Sequence, residues 1–157
     1  MIKRLFISPG HDYFGHHGRA SDNYPLQEVD RVECVAGQGI RGDRFYDFEK
    51  DYKGQITFFA QEIFDRLRSD FPGVDKSPGV LRRNVVLSGV DLHSLIGKEF
   101  SLQGVRFRGT AHCKPCYWLD EAFAPGTKQA IINDGGLRAQ ILTNGCLTTG
   151  PAELVVD

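Results

Sequence analysis

No apolar run in this sequence approaches the roughly 20 residues needed to cross a membrane. The N-terminal stretch Met1 to Gly10 also lacks a signal-peptide core, because its few apolar residues are cut short by Pro9-Gly10. Charge of one sign is missing too: 19 Lys and Arg face 20 Asp and Glu, for a formal net charge of −1. That balance argues against non-specific nucleic-acid binding, which draws on excess positive charge. Cysteine is sparse, with four in 157 residues, and tryptophan occurs once. Neither a second C-x-x-C nor an H-x-x-x-H is present to complete a structural zinc site. The glycine-rich segment has neither the Lys-Ser/Thr ending of a phosphate loop nor the spacing of a dinucleotide fingerprint. Repeats, low-complexity tracts and linkers are absent. A cytoplasmic protein is therefore expected, with neither nucleic acid nor membrane as partner. In that compartment thiols stay reduced, and cysteines serve metal or catalytic roles before disulfides.

What is present suits one ordinary globular domain over residues 1–157. Hydrophobic residues make up 41% and charged ones 25%, and the length suffices for a single core. Ile2 to Ile7, Leu26 to Val35, Gln55 to Phe58 and Leu81 to Leu87 have strand character. Phe59, Ile63, Leu67 and Phe71 recur every four residues and predict one amphipathic helix, stopped by Pro72-Gly73. A helical turn capped by Asp91 or Ser88 is expected over Asp91 to Leu95. Alternation on either side of Gln103-Gly104 predicts a hairpin. Short helices follow near Tyr117 to Phe123 and Lys128 to Ile132. Leu137, Ala139 and Ile141 then alternate with polar residues, and Asn144-Gly145 predicts a second hairpin, with Cys146 opening the return strand and Ala152 to Val156 continuing or joining it. Strands outnumber helices and mostly follow one another directly. The predicted fold is mainly β: a closed or partly open antiparallel barrel with a few short helices.

Chemistry concentrates in His112-Cys113-Lys114-Pro115-Cys116. A thiol reacts or binds metal as thiolate, and neighbouring cations favour that form. His112 and Lys114 bracket Cys113, while Pro115 stiffens the turn that carries Cys116. Cys34 fits a core position. Adjacent Arg82 and Arg83 open a strand, where guanidinium groups at a pocket mouth could hold phosphate or carboxylate. His11, His16 and His17 lie in a polar loop with Asp12, which suits a solvated or substrate-covering segment better than a metal site.

Taken together, Gly39 to Arg44, Gln55-Ile56-Thr57, Arg82 to Val85, Gly97 to Phe100, Cys113 to Cys116 and Gly135 to Ala139 resemble the MOSC domain, found at the C-terminal end of molybdenum-cofactor sulfurases and as small stand-alone bacterial proteins. The resemblance runs from about Ile2 to Val155. It implies a β-barrel that binds molybdenum cofactor and handles sulfur through one reactive cysteine. By that resemblance Cys116 is the reactive thiol and metal ligand, with Cys113 as its neighbour. Arg82, Arg83, Asn84, Gly42, Asp43 and Arg138 are the implied cofactor-binding residues. With no pyridoxal-phosphate domain in these 157 residues, persulfide sulfur is expected from a separate donor protein. The family also implies reduction of N-hydroxylated compounds with electrons from a redox partner. Two other classes compete: a thioredoxin-like C-x-P-C exchanger, which needs a strand–helix–strand setting, and a partner-binding module without chemistry.

Overall fold

The structure, a computed structural model, describes residues 1–10, 24 and 26–157; the loop histidines 11, 16 and 17 and Asp12 lie outside the described residues. The strands are β1 (Ile2–Ile7), β2 (Gln27–Val29), β3 (Arg31–Val35), β4 (Gly39–Ile40), β5 (Ile56–Ala60), β6 (Val85–Leu87), β7 (Glu99–Leu102), β8 (Val105–His112), β9 (Leu137–Ile141), β10 (Gly145–Thr148) and β11 (Leu154–Val156). The helices are α1 (Gln61–Asp70), α2 (Trp118–Ala122) and α3 (Thr127–Ala130), with 3-10 turns at Pro78–Leu81 and Leu92–Leu95. Asp91 caps the second of these turns, its carboxylate accepting from His93 N at 3.1 Å.

The mainly β architecture with few helices is as expected, but hydrogen bonding among the described residues does not close into a barrel. Eight strands form one sheet in the order β11-β7-β8-β9-β5-β6-β1-β2, and β10-β3-β4 form a second. A bridge between Ile2 and Gly150 links the two. Side chains join them further: Val32, Cys34, Ile40 and Leu147 of the small sheet share one core with Leu5, Phe58, Phe100 and Phe107 of the large one. Pairing is antiparallel except between β5 and β6, where α1 supplies the crossover. A smaller core lies under the helices, where Phe59 of β5 meets Phe64, Leu67, Leu119 and Phe123.

Several expectations on element boundaries change. The strand over 26–35 divides at Asp30, so that β2 pairs with β1 and β3 with β10. The helix begins only at Gln61, because Phe59 belongs to β5; Phe64 and Leu67 are its buried residues. The hairpin at Asn144-Gly145 does not form. Gly145 lacks the positive φ that a type I′ turn requires. Instead Asn144 Oδ1 accepts from Ala36 N at 2.8 Å and Gly145 pairs with Cys34, which carries the chain across to the small sheet. The strand β11 then returns to pair with β7. The Gln103-Gly104 hairpin does form, both residues having positive φ, 49° and 79°.

Candidate functional site

Two glycines fix where the C-x-P-C segment lies. Cys113 N donates to Gly136 O at 2.7 Å. A Cβ on Gly135 would fall 2.0 Å from Cys113 O, and one on Gly136 would fall 2.3 Å from Phe58 O. Gly136 also holds φ +106°, a conformation that favours glycine. The backbones of the 113–116 and 135–136 segments therefore touch, at the end of β8 and the start of β9. Trp118 and Leu119 then anchor α2 by burial. Cys113 is buried, at 4% exposure, whereas Cys116 is exposed.

The two arginines after Pro78–Leu81 are not part of the following strand, as the sequence suggested, but precede it. Arg82 takes a left-handed conformation, φ 59°, and this turn sends the two guanidinium groups different ways. Arg82 donates to Tyr24 O at 2.7 Å and Gly10 O at 3.0 Å, so it clasps the main chain on either side of 11–23. Arg83 turns toward the cysteine segment, with Nε donating to Gly135 O at 2.9 Å and a terminal nitrogen to Leu81 O at 2.8 Å. Asn84 is fully buried. Its Oδ1 accepts from Thr57 N at 3.0 Å and its Nδ2 donates to Phe6 O at 3.2 Å. In this structure Asn84 stitches β1 to β5.

The glycine loop contributes differently from expectation. Gly42 holds φ +85°, and Asp43 turns inward with a side chain of 0% exposure. The Asp43 carboxylate accepts from Ser8 N at 3.0 Å, Phe45 N at 3.2 Å and Arg44 at 3.1 Å. Asp43 is thus a buried tie, and the group it presents to the site is Arg44. That guanidinium, 6% exposed, also donates to Arg82 O at 3.0 Å and lies 4.8 Å over the Phe45 ring. Burial pulls its pKa below the ordinary range against the pull of Asp43, and the Arg83 charge adds to the fall. Cys113 and Tyr52 act on it electrostatically in the opposite sense.

Arg138, on β9 opposite Thr57 and Ala111, lies near enough to Tyr52 for its charge to act on the phenol. Burial raises the Tyr52 phenol, with Arg138 and Arg44 opposing and Cys113 assisting. The fold therefore collects Arg44, Arg83, Arg138, Tyr52 and Cys113 at the β8–β9 end, with exposed Cys116 three residues beyond Cys113. Arg44 carried a sequence signal only as a charge inside a glycine loop, and Tyr52 carried none.

His112 also differs from expectation. Its Nε2 accepts from Gly135 N at 3.0 Å, which requires a lone pair there and a proton on Nδ1. Burial lowers its pKa, and His93, Arg83 and Lys114 lower it further against Asp134. At neutral pH His112 is an acceptor, and not the cation beside Cys113 that the sequence suggested. Among the described residues no group of three or more His, Cys, Asp or Glu is placed to hold a metal ion. The C-x-P-C segment leads into α2 and α3, but the strands before and after them, β8 and β9, pair antiparallel with each other, not as the parallel strands of a crossover unit. No described helix is long and apolar enough to cross a membrane.

The fold has counterparts among known proteins. The family model described as the MOSC domain matches residues 16–150. No curated protein matches the chain. Among solved structures, the YuaD protein from Bacillus subtilis superposes with TM-score 0.73 at 19% identity, over 99% of this chain and 94% of that one. YiiM from Geobacillus stearothermophilus gives 0.71 at 18%, over 100% and 74%. YiiM from Escherichia coli gives 0.65 at 18%, over 83% and 64%. At these identities the likeness is one of fold.

Proposed function

This chain belongs to the MOSC domain family, and from that premise we propose that it binds molybdenum cofactor at the β8–β9 end, with Cys116 as the thiolate that meets the metal or carries sulfur. The observation that carries the reading is the gathering of Arg44, Arg83 and Arg138 beside the C-x-P-C segment. Arg44 is already matched by Asp43. Arg83 keeps one terminal nitrogen beyond its two carbonyl partners, and Arg138 is half-buried on its strand. A part-buried excess of guanidinium groups favours a multiply charged anion, because charge-assisted hydrogen bonds strengthen where water is scarce.

The donor set fits the group on chemical grounds. Guanidinium forks suit a phosphate, and a soft thiolate suits a metal that prefers sulfur. Arg83 and Arg138 would hold the anionic end, Arg44 would set the local potential from behind, and Tyr52 offers a hydroxyl donor on the same side. Cys113, buried beneath, supports the loop that presents Cys116. Bound there, the cofactor supplies oxidation–reduction or sulfur transfer at its metal. Arg82, engaged with the main chain of Gly10 and Tyr24, holds the rim in place of contacting the ligand. A separate redox or sulfur-donor protein completes the reading, since nothing in these residues regenerates electrons or persulfide.

The test is production in cells that make the cofactor, followed by molybdenum analysis and pterin fluorescence. Wild type is expected to carry both. Arg83→Ala and Arg138→Ala should lose both together, while Cys116→Ser should keep pterin and lose metal-bound sulfur chemistry. A wild type without molybdenum or pterin, beside a known cofactor protein that loads fully, would overturn the reading in favour of a partner-binding module.

A further inference from the structure

We propose that His112 is a positioning residue, which through its hydrogen bond to Gly135 fixes the direction of the Arg83 guanidinium. The proposal rests on the anion-binding reading above for its functional consequence, though not for its geometry.

The connection is short and continuous. His112 Nε2 accepts from Gly135 N at 3.0 Å, and the carbonyl of that same Gly135 accepts Arg83 Nε at 2.9 Å. One peptide unit on either side of a single Cα thus joins an imidazole to a guanidinium. Gly135 cannot drift easily, since its Cα abuts Cys113 O on one side. It has no side chain to lock its torsions, however, and Gly136 follows at φ +106°. Two consecutive glycines are the most permissive backbone available, so the segment needs an external hold. His112 supplies it from the end of β8, where it pairs in register with Leu137.

The ring is itself held. His93, from the 3-10 turn Leu92–Leu95, meets it edge-on with centroids 4.9 Å apart. The charged and titratable groups facing His112 are His93, Arg83, Asp134 and Lys114. Asp134 is drawn away by Arg66 at 2.9 Å. Behind His93 lies a groove of about 400 Å³ whose lining includes Glu62, Asp91 and Asp134. Only neutral imidazole can accept from Gly135 N, because protonated imidazole has donors at both nitrogens. Arg83 orientation is therefore coupled to the protonation of His112. Below the pH at which His112 takes a proton, Gly135 is released and the Arg83 Nε–H loses a fixed acceptor.

Two variants separate positioning from mere packing. His112→Gln retains a neutral acceptor near the place of Nε2, and His112→Phe retains a ring without one. In ¹⁵N-labelled protein free of cofactor, we expect scalar coupling across the Gly135 N–H···Nε2 bond, and an Arg83 Nε–H signal that exchanges slowly at neutral pH. That signal, identified by its loss in Arg83→Lys, should broaden in His112→Phe and persist in His112→Gln; in acidified wild type, where exchange with water itself slows, the Gly135 coupling should vanish and the Arg83 Nε resonance should shift. In cofactor-producing cells, molybdenum per chain should fall about fivefold in His112→Phe, the scale of one hydrogen bond, and stay within about twofold in His112→Gln. An Arg83 signal unchanged in folded His112→Phe would overturn the proposal, as would equal failure of Gln and Phe. If wild type takes up no molybdenum, the cofactor reading fails alone, and the ¹⁵N measurements still decide the role of His112.

Discussion

Removing the Asp43 carboxylate should do more damage than any other single polar change in the glycine loop. Three donors converge on it, Ser8 N, Phe45 N and Arg44, at 3.0–3.2 Å, and its side chain has 0% exposure. Asp43→Ala leaves a guanidinium of 6% exposure without its counter-charge. Breaking a buried pair from one side costs about 3–5 kcal/mol, a large part of the roughly 5–15 kcal/mol that holds a domain folded. The measurement is equilibrium unfolding in urea, followed by the fluorescence of buried Trp118. With a slope of about 2 kcal/mol per molar, the midpoint should fall by about 1.5–2.5 M. Asp43→Ala combined with Arg44→Met removes the stranded charge as well, and should recover about 1–3 kcal/mol as a coupling between contacting residues. A loss under about 1 kcal/mol for Asp43→Ala, or no recovery in the double variant, would refute the assignment of Asp43 as a buried tie.

Asn84→Ala strips partners from Thr57 N and Phe6 O in the interior and should cost about 2–3 kcal/mol; thermal melting checks it, and an unshifted midpoint would contradict the stitching role. Gly136→Ala places a Cβ against Phe58 O at 2.3 Å in a left-handed backbone and should destabilise by more than about 2 kcal/mol in the same assay. Alkylation at pH 8 with mass spectrometry should label exposed Cys116 early and Cys34 last, because burial, with Cys146 and Glu33 adding, pushes the Cys34 thiol up to about 12. Labelling of Cys34 ahead of Cys116 would reverse the site assignment. The folded pKa of His112 is depressed below 6.5, so the unfolded chain takes up that proton first as pH falls. The stability it contributes is complete above about pH 6.5 and is lost as pH drops through the lower folded value. Melting temperatures from pH 8 to 5 should therefore decline more steeply in wild type than in His112→Gln, and parallel curves would count against this.

Period-two alternation around Gln103-Gly104, the four-residue spacing in α1 and the β-rich order of elements were legible from the chain alone, because each depends on neighbours within about ten residues. The loop carrying Cys113 and Cys116 was legible too, as was the core position of Cys34. Asn144-Gly145 shows the limit: its local turn preference yields to Cys34 and Ala36, partners more than a hundred residues away. The two arginines show a second limit. Adjacent in sequence, they diverge because Arg82 sits at φ 59°, a backbone state no side-chain pattern announces. Polar residues in sequence, Asp43 and Asn84 are buried and serve as internal ties, which no local pattern announces. Tyr52 comes under the charges of Arg44 and Arg138 only because strand register and a glycine loop bring distant segments to one end. The sequence by itself determined the β-rich order of elements and the place of the C-x-P-C loop; tertiary structure decided which side chains face one another, because facing depends on register and torsions settled by packing across the whole chain.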